Sequence, residues 1–273
     1  MSPMNNRLLV PRKVPGLLDL VPGAAAAYSL RSLSNSYAGP VVTVRRSSDD
    51  AEEDFTASEI ADGTLAAFCG AADGFVRQWW DQSGKSRHAI QTTTTYQPQI
   101  VSGGAVILKE GKPALQFDGV NDRYQVGFTL GPYLSMFSVA SSNEQVAFLF
   151  DAYDNVNNNS VLWISATHLR FLMSGTSVSG YHYRTYTPGS QAMLSMIHFS
   201  DAIRNAWVNG SDSGYIQNGA VPAPTPMNGI RIGVGGSGTA FLNGTYQELI
   251  VYETDQTANR ELLEGNIAWG WSV

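Results

Sequence analysis

Short apolar runs with a period of two dominate the chain from position 75 onward. Residues 75–80, 105–108, 114–117, 136–140, 147–150, 161–164, 169–173, 193–199, 206–208, 230–234 and 246–252 each lie between clusters of Gly, Asn, Ser and Pro. Such runs predict strands, and eleven or more short strands at close spacing predict an all-β, two-sheet sandwich of the jelly-roll kind. Two turn signals support this: Asp118-Gly119 and Asn209-Gly210 sit between apolar runs, and the Asn-Gly pair supplies the positive φ of a tight primed turn. Helical spacing is confined to three places. Ala24 to Ala27, Tyr28, Leu30 and Leu33 predict a helix of about three turns that stops at Ser34, Asn35, Gly39 and Pro40. Residues 64–68 predict a second short helix, and residues 256–269, with Leu262, Leu263, Ile267 and Trp269 at helical positions, predict a third. A short strand over Val41 to Arg45 precedes the acidic cluster Asp49, Asp50, Glu52, Glu53 and Asp54. With no internal repeat and no long linker, residues 24–273 read as one domain.

Residues 1–23 read differently. Leu8, Leu9, Val10, Leu17, Leu18 and Leu20 are too apolar for a solvated tail, while Pro3, Pro11 and Pro15 forbid a regular helix or a central strand. An extended arm fits both facts. It is read either as a disordered leader or strap on its own domain, or as an anchor that lies along another surface through Arg7, Leu8, Leu9, Val10, Leu17 and Leu18. The prolines also break any signal-peptide apolar region, and no run of about 18 apolar residues offers a membrane span.

Composition narrows the class. Charged residues are 15% of the 273, hydrophobic residues 43%, and glycines number 27, which describes neither a disordered chain nor a helical bundle. A net charge of −6 argues against a general nucleic-acid binder. The single cysteine, Cys69, excludes an intrachain disulfide scaffold.

Metal and nucleophile motifs are sparse. The histidines at 88, 168, 182 and 198 lack ligand spacing, Cys69 has no CxxC partner, and no GxSxG elbow exists. No cofactor is expected, apart from calcium, for which Asp151, Asp154 and Asn155 supply hard oxygens in one polar loop; a plain turn-forming loop is the alternative. Asp81, Asp118, Asp122, Asp151, Asp154 and Glu248 are the carboxylates from which a glycosidase pair could be drawn. Aromatic side chains carry the stronger signal. Trp80, Tyr153, Tyr181 and Tyr183 could stack on sugar rings, with sheet packing as the alternative, and one of Trp79 and Trp80 must face the core.

Several segments together resemble known families. Ala27-Tyr28-Ser29-Leu30-Arg31, Gly39-Pro40, residues 44–49, Trp80-Asp81-Gln82-Ser83-Gly84 and Gln97-Pro98 resemble the catalytic domain of α-L-arabinofuranosidases of the concanavalin A-like sandwich class. With residues 112–119 and 244–252 added, the set resembles the concanavalin A-like or laminin-G-like modules of tailed-bacteriophage structural proteins. The resemblance implies a concanavalin A-like jelly-roll sandwich from about Ala24 to the C-terminus. At the acid/base position of the arabinofuranosidases this chain has Ser237, and at the nucleophile position Tyr153 within Asp151-Ala152-Tyr153-Asp154. Losing a proton-transfer carboxylate removes roughly two to four orders of magnitude in rate.

The expected function is therefore a non-enzymatic bacteriophage virion protein of tail, fibre, collar or capsid surface, made in the host cytoplasm. Its arm would engage other virion proteins. Its sandwich would bind host-surface glycan through Trp80, Asp81, Tyr153, Asp154, Tyr181, Tyr183 and Ser237. A homo-oligomer is expected, with no nucleic acid as partner. An arabinofuranosidase-type glycoside hydrolase and a purely architectural spacer are the alternatives.

Overall fold

Two antiparallel sheets account for the period-two pattern. The computed structural model describes residues 14–143, 146–153, 158–165, 168–173, 181–199, 204–212, 214–217, 226–235, 238 and 240–273. The larger sheet has twelve strands. Its main path runs Arg204–Val208, Ala192–His198, Leu134–Ser142, Asn243–Tyr252, Leu115–Asp118, Gln99–Ser102, Gly74–Trp79, Val42–Arg46 and Glu52–Phe55. The smaller sheet has seven strands, in the order Tyr124–Leu130, Met227–Ile232, Val146–Tyr153, Asn158–Ser165, His168–Met173, Tyr181–Thr185 and Gly214–Gln217. The jelly-roll-like sandwich is the fold expected from the sequence.

The inner faces meet in an aromatic cluster. Trp79 lies 5.7 Å from Tyr28 and 6.0 Å from Tyr246, while Phe117 lies 6.2 Å from Tyr246 and 6.4 Å from Tyr124, ring centre to ring centre. The Tyr124 hydroxyl donates to the Val76 carbonyl at 2.6 Å, which satisfies the one polar atom that this ring buries. Trp79 is wholly buried and Trp80 half-buried, as successive positions on a strand require.

Local propensity is overridden at residues 23–33. Instead of a three-turn helix, Ala26–Ser29 is a strand paired antiparallel with Asn243–Tyr252, Tyr28 opposite Leu249. All four of its residues are buried, so the alanines serve close packing between neighbours rather than helix formation. The other two helices form, as Thr64–Cys69 and Arg260–Trp271. The C-terminal helix buries Leu263, Ile267 and Trp271, leaving Leu262 and Trp269 exposed, so its core stripe is offset from the expected one.

Both turn signals are used, in different ways. Asn209 and Gly210 take φ values of 50° and 74° and close a bridge between Val208 and Ser211. Asp118-Gly119 makes no hairpin within a sheet; it starts the crossover from Leu115–Asp118 in the larger sheet to Tyr124–Leu130 in the smaller.

For Leu17 and Leu18 the structure shows a strap on the chain's own domain in place of the anchor. Residues Leu17–Leu20 form a single helical turn, Leu17 is fully buried in the sandwich core, and Leu18 packs against that core while its amide donates to Leu33. Asp19 ties the turn down by accepting from Gly16, Ser34 and Asn35. These leucines are apolar because they pack on their own domain; Arg7, Leu8, Leu9 and Val10 lie outside the described residues.

Candidate functional site

The motif residues first build a frame. Glu248 is wholly buried on the central strand; Arg31 grips both of its oxygens at 2.8 and 2.9 Å, and Ser29 and the Trp271 indole donate to it at 2.7 and 2.8 Å. Asp81 accepts from the amides of Ala27, Ser83 and Arg87 and from the Ser83 hydroxyl. Gln82 and Gln247 likewise bond to backbone, Gln82 to Ser29, Arg31 and Leu33, and Gln247 to Lys109, Lys112 and Pro113. Every acceptor of these carboxylates is engaged by the protein, so Glu248 and Asp81 hold strands and loops together. Trp80 belongs to the same frame: its indole donates to Thr43 at 3.0 Å and its ring packs 4.6 Å from His88.

The outer face of the smaller sheet is chemically different. Register sets Gln125, Arg231 and Asp151 in one row across three adjacent strands, and Tyr153 stands two residues beyond Asp151 on the same face. The neighbours on the opposite face, Val126, Ile230, Ile232, Phe150 and Ala152, are apolar and buried in the sandwich, and in the polar row Asp151 and Tyr153 are buried too. Arg231 donates to the Asp151 carboxylate at 3.0 Å and lies 3.9 Å over the Tyr153 ring, and Gln125 donates to the Tyr153 hydroxyl at 2.9 Å. Gly127 and Gly229 oppose each other beside Tyr153, so bare backbone flanks the ring. Any Cβ on Gly229 would lie 2.1 Å from the Val126 carbonyl oxygen, which is why this position is glycine.

Of the calcium candidates only Asp151 lies among the described residues, and there it pairs with Arg231 at 3.0 Å. Among the described residues no group of three or more His, Cys, Asp or Glu could hold a metal ion. Tyr183 lies further across the same sheet, with Arg170 5.1 Å over its ring and His168 6.2 Å away. Position 181 shares the Asp151 row through Val161 and Leu172, but its side chain, like Asp154, Asn155 and Ser237, lies outside the described residues. Thus Asp151 and Tyr153 come together, whereas Trp80 and Asp81 are elsewhere, in the frame. Sequence reasoning missed Gln125 and Arg231. Their only signal was a polar position between apolar neighbours, in Tyr124-Gln125-Val126 and Ile230-Arg231-Ile232.

Asp118 and Asp122 form a second acidic pair, in the crossover. The Asp118 amide donates to Asp122 at 3.0 Å, and Asp118 accepts from the amides of Val120, Asn121 and Asp122. Burial, reinforced by the neighbouring Asp118 charge, pushes the Asp122 carboxyl up to about 7.

A family model for the catalytic domain of α-L-arabinofuranosidase B matches residues 19–110. By structure, the chain is similar to a GH54 α-L-arabinofuranosidase soaked with a cyclic sulfate inhibitor, at 18% identity and a TM-score of 0.68. It is also similar to an arabinofuranosidase complexed with arabinofuranosyl-α-1,2-xylobiose, at 19% identity and a TM-score of 0.67. Both likenesses cover 91% of this chain but 63% of the other, so the chain spans less than two thirds of those structures' length. No curated protein matches the sequence.

These findings overturn the expectation of a non-enzymatic virion component. The matched family is a glycosidase catalytic domain and the similar structures are glycosidases, with nothing in support of a bacteriophage lectin module. The motifs that suggested the phage module are those that build the frame, and a frame is shared by sandwiches of many roles. Ser237 at the acid/base position, the ground for expecting no enzyme, lies beyond residues 19–110, as do Gln125, Asp151, Tyr153 and Arg231.

Proposed function

We propose that the chain is a glycoside hydrolase of the α-L-arabinofuranosidase type, with Gln125, Asp151, Tyr153 and Arg231 of the smaller sheet as its candidate site. The observation that carries this reading is the match of residues 19–110 to an arabinofuranosidase catalytic domain, in a chain whose sandwich follows arabinofuranosidases over 91% of its length. The site's chemistry supports it. Tyr153 offers a ring and a hydroxyl at the position where the resembling enzymes carry their nucleophile, and tyrosine serves as nucleophile in one class of glycosidases. Gln125 donates to that hydroxyl oxygen and Arg231 lies over the ring, so both the hydroxyl and the ring are held in place. Asp151 fixes Arg231 in that place.

The test is release of 4-nitrophenolate from 4-nitrophenyl α-L-arabinofuranoside, a leaving group that departs without a proton. Turnover by the purified chain is expected, with a loss of about 10²-fold or more in Tyr153→Phe and in Asp151→Asn. Absence of turnover by the folded wild-type chain across a panel of aryl glycosides refutes the reading.

A further inference from the structure

The outward face of the larger sheet carries a second polar row. Arg45, Phe75, Gln99 and Gln116 are aligned by register across four neighbouring strands, with Arg45 opposite Phe75, Phe75 opposite Gln99 and Gln99 opposite Gln116. The 3-10 turn Thr94–Tyr96 and the Asp118 to Asp122 crossover wall this row into a cleft of about 330 Å³, within the size range of small-ligand pockets. It shares no residue with the Asp151 row.

The cleft's unspent groups define what it can take. The amide nitrogens of Gln99 and Gln116 donate to the Val101 and Phe117 carbonyls at 2.9 and 2.8 Å, so each side chain keeps its carbonyl oxygen for a ligand. Arg45 is neutralised by Asp50 at 2.7 Å and bonded to Gln97, and it lies 5.1 Å over Phe75. One end of the cleft therefore presents an ion-paired guanidinium and the other a carboxyl pair, with oxygen acceptors between. A ligand that matches must be neutral, compact and rich in hydroxyl donors. A metal ion does not match, since it would meet a guanidinium in the same row.

We infer that this cleft is a sugar-binding subsite, separate from the Asp151 row, that holds one sugar ring of an oligosaccharide through hydroxyl donors to Gln99, Gln116, Asp118 and Asp122. Burial raises the Asp122 carboxyl to about 7, so part of it is protonated near neutral pH, and a protonated carboxyl both donates to and accepts from sugar hydroxyls.

The test reads binding directly, without turnover. In the full chain, arabino-, xylo- and gluco-oligosaccharides are titrated while the side-chain amide resonances of Gln99 and Gln116 are followed by NMR. At least one oligosaccharide is expected to shift both resonances saturably. In the Gln99→Leu/Gln116→Leu double variant, the Asp118 and Asp122 backbone amides should then need at least tenfold more of that oligosaccharide for the same shift. Aryl arabinofuranoside turnover should be unchanged. Unshifted amides throughout, an undiminished response of the double variant, or a response to calcium chloride or spermidine alone would each overturn the inference. A wild type that binds oligosaccharide here but turns over no aryl glycoside refutes the hydrolase reading and leaves the subsite standing.

Discussion

Replacing Asp122 by Asn should stabilise this protein at alkaline pH and leave it nearly unchanged at acid pH. Asp122 is 6% exposed and its carboxyl is pushed from 3.8 up to about 7, first by burial and then by the Asp118 charge. A folded-state value above the unfolded one means that the folded chain holds the proton more tightly. Stability from this group is therefore fully present below about pH 4 and is lost as pH rises towards 7. At about 1.4 kcal/mol per pH unit, the whole interval is worth roughly 4 kcal/mol at most. Water entering the cleft and local relaxation bring the expected effect to about 1–3 kcal/mol. Asparagine keeps an oxygen to accept from the Asp118 amide, now 3.0 Å from the carboxylate, and carries no charge. Urea denaturation at pH 4.0, 6.0 and 8.0 measures this. The Asn variant should match wild type at pH 4.0 and exceed it by about 1–3 kcal/mol at pH 8.0. Equal differences at all three pH values would show that Asp122 does not titrate between them and would sink the argument.

Two further substitutions test the frame and the site. Arg31→Met strands the buried Glu248 charge with only Ser29 and Trp271 as donors; a loss of about 3–5 kcal/mol is expected in denaturant unfolding, part of it recovered by adding Glu248→Gln. Gly229→Ala drives a Cβ against the Val126 carbonyl at a residue with φ of 153°, so the edge strand Tyr124–Leu130 must give way. A loss of about 2 kcal/mol or more is expected by thermal unfolding. Aryl arabinofuranoside turnover should fall with it, because Gln125 on that strand bonds Tyr153.

How far the sequence could be read depended on which physical signal decided each feature. Strands such as Leu115–Asp118 and Tyr124–Leu130 were legible because alternate positions are buried, which writes a period of two, whereas Leu134–Ser142 and Asn243–Tyr252 are buried on both faces and showed as short apolar runs between turn residues. Arg31, Asp81, Gln82, Gln247 and Glu248 stood out within recognisable motifs, yet their geometry shows structural ties, so resemblance along the chain reported the frame. The row of Gln125, Asp151, Tyr153 and Arg231 was legible only in part. Its members come from three strands separated by up to 106 positions of chain, and only register brings Gln125 and Arg231 to Asp151.

By itself, the sequence determined an all-β sandwich closed by a C-terminal helix, because alternation and turn chemistry are local properties of a chain. Tertiary structure decided three things that local signals could not. Ala26–Ser29 is a strand because it pairs with residues 248–251 of the central strand Asn243–Tyr252, where all four of its residues are buried. Leu17 belongs to the core because a fully buried apolar contact awaits it there. Asp122, one carboxylate among many along the chain, becomes a group that titrates near neutral pH because folding brings it out of water beside Asp118. Each depends on what lies opposite in space, and a linear pattern holds no record of that.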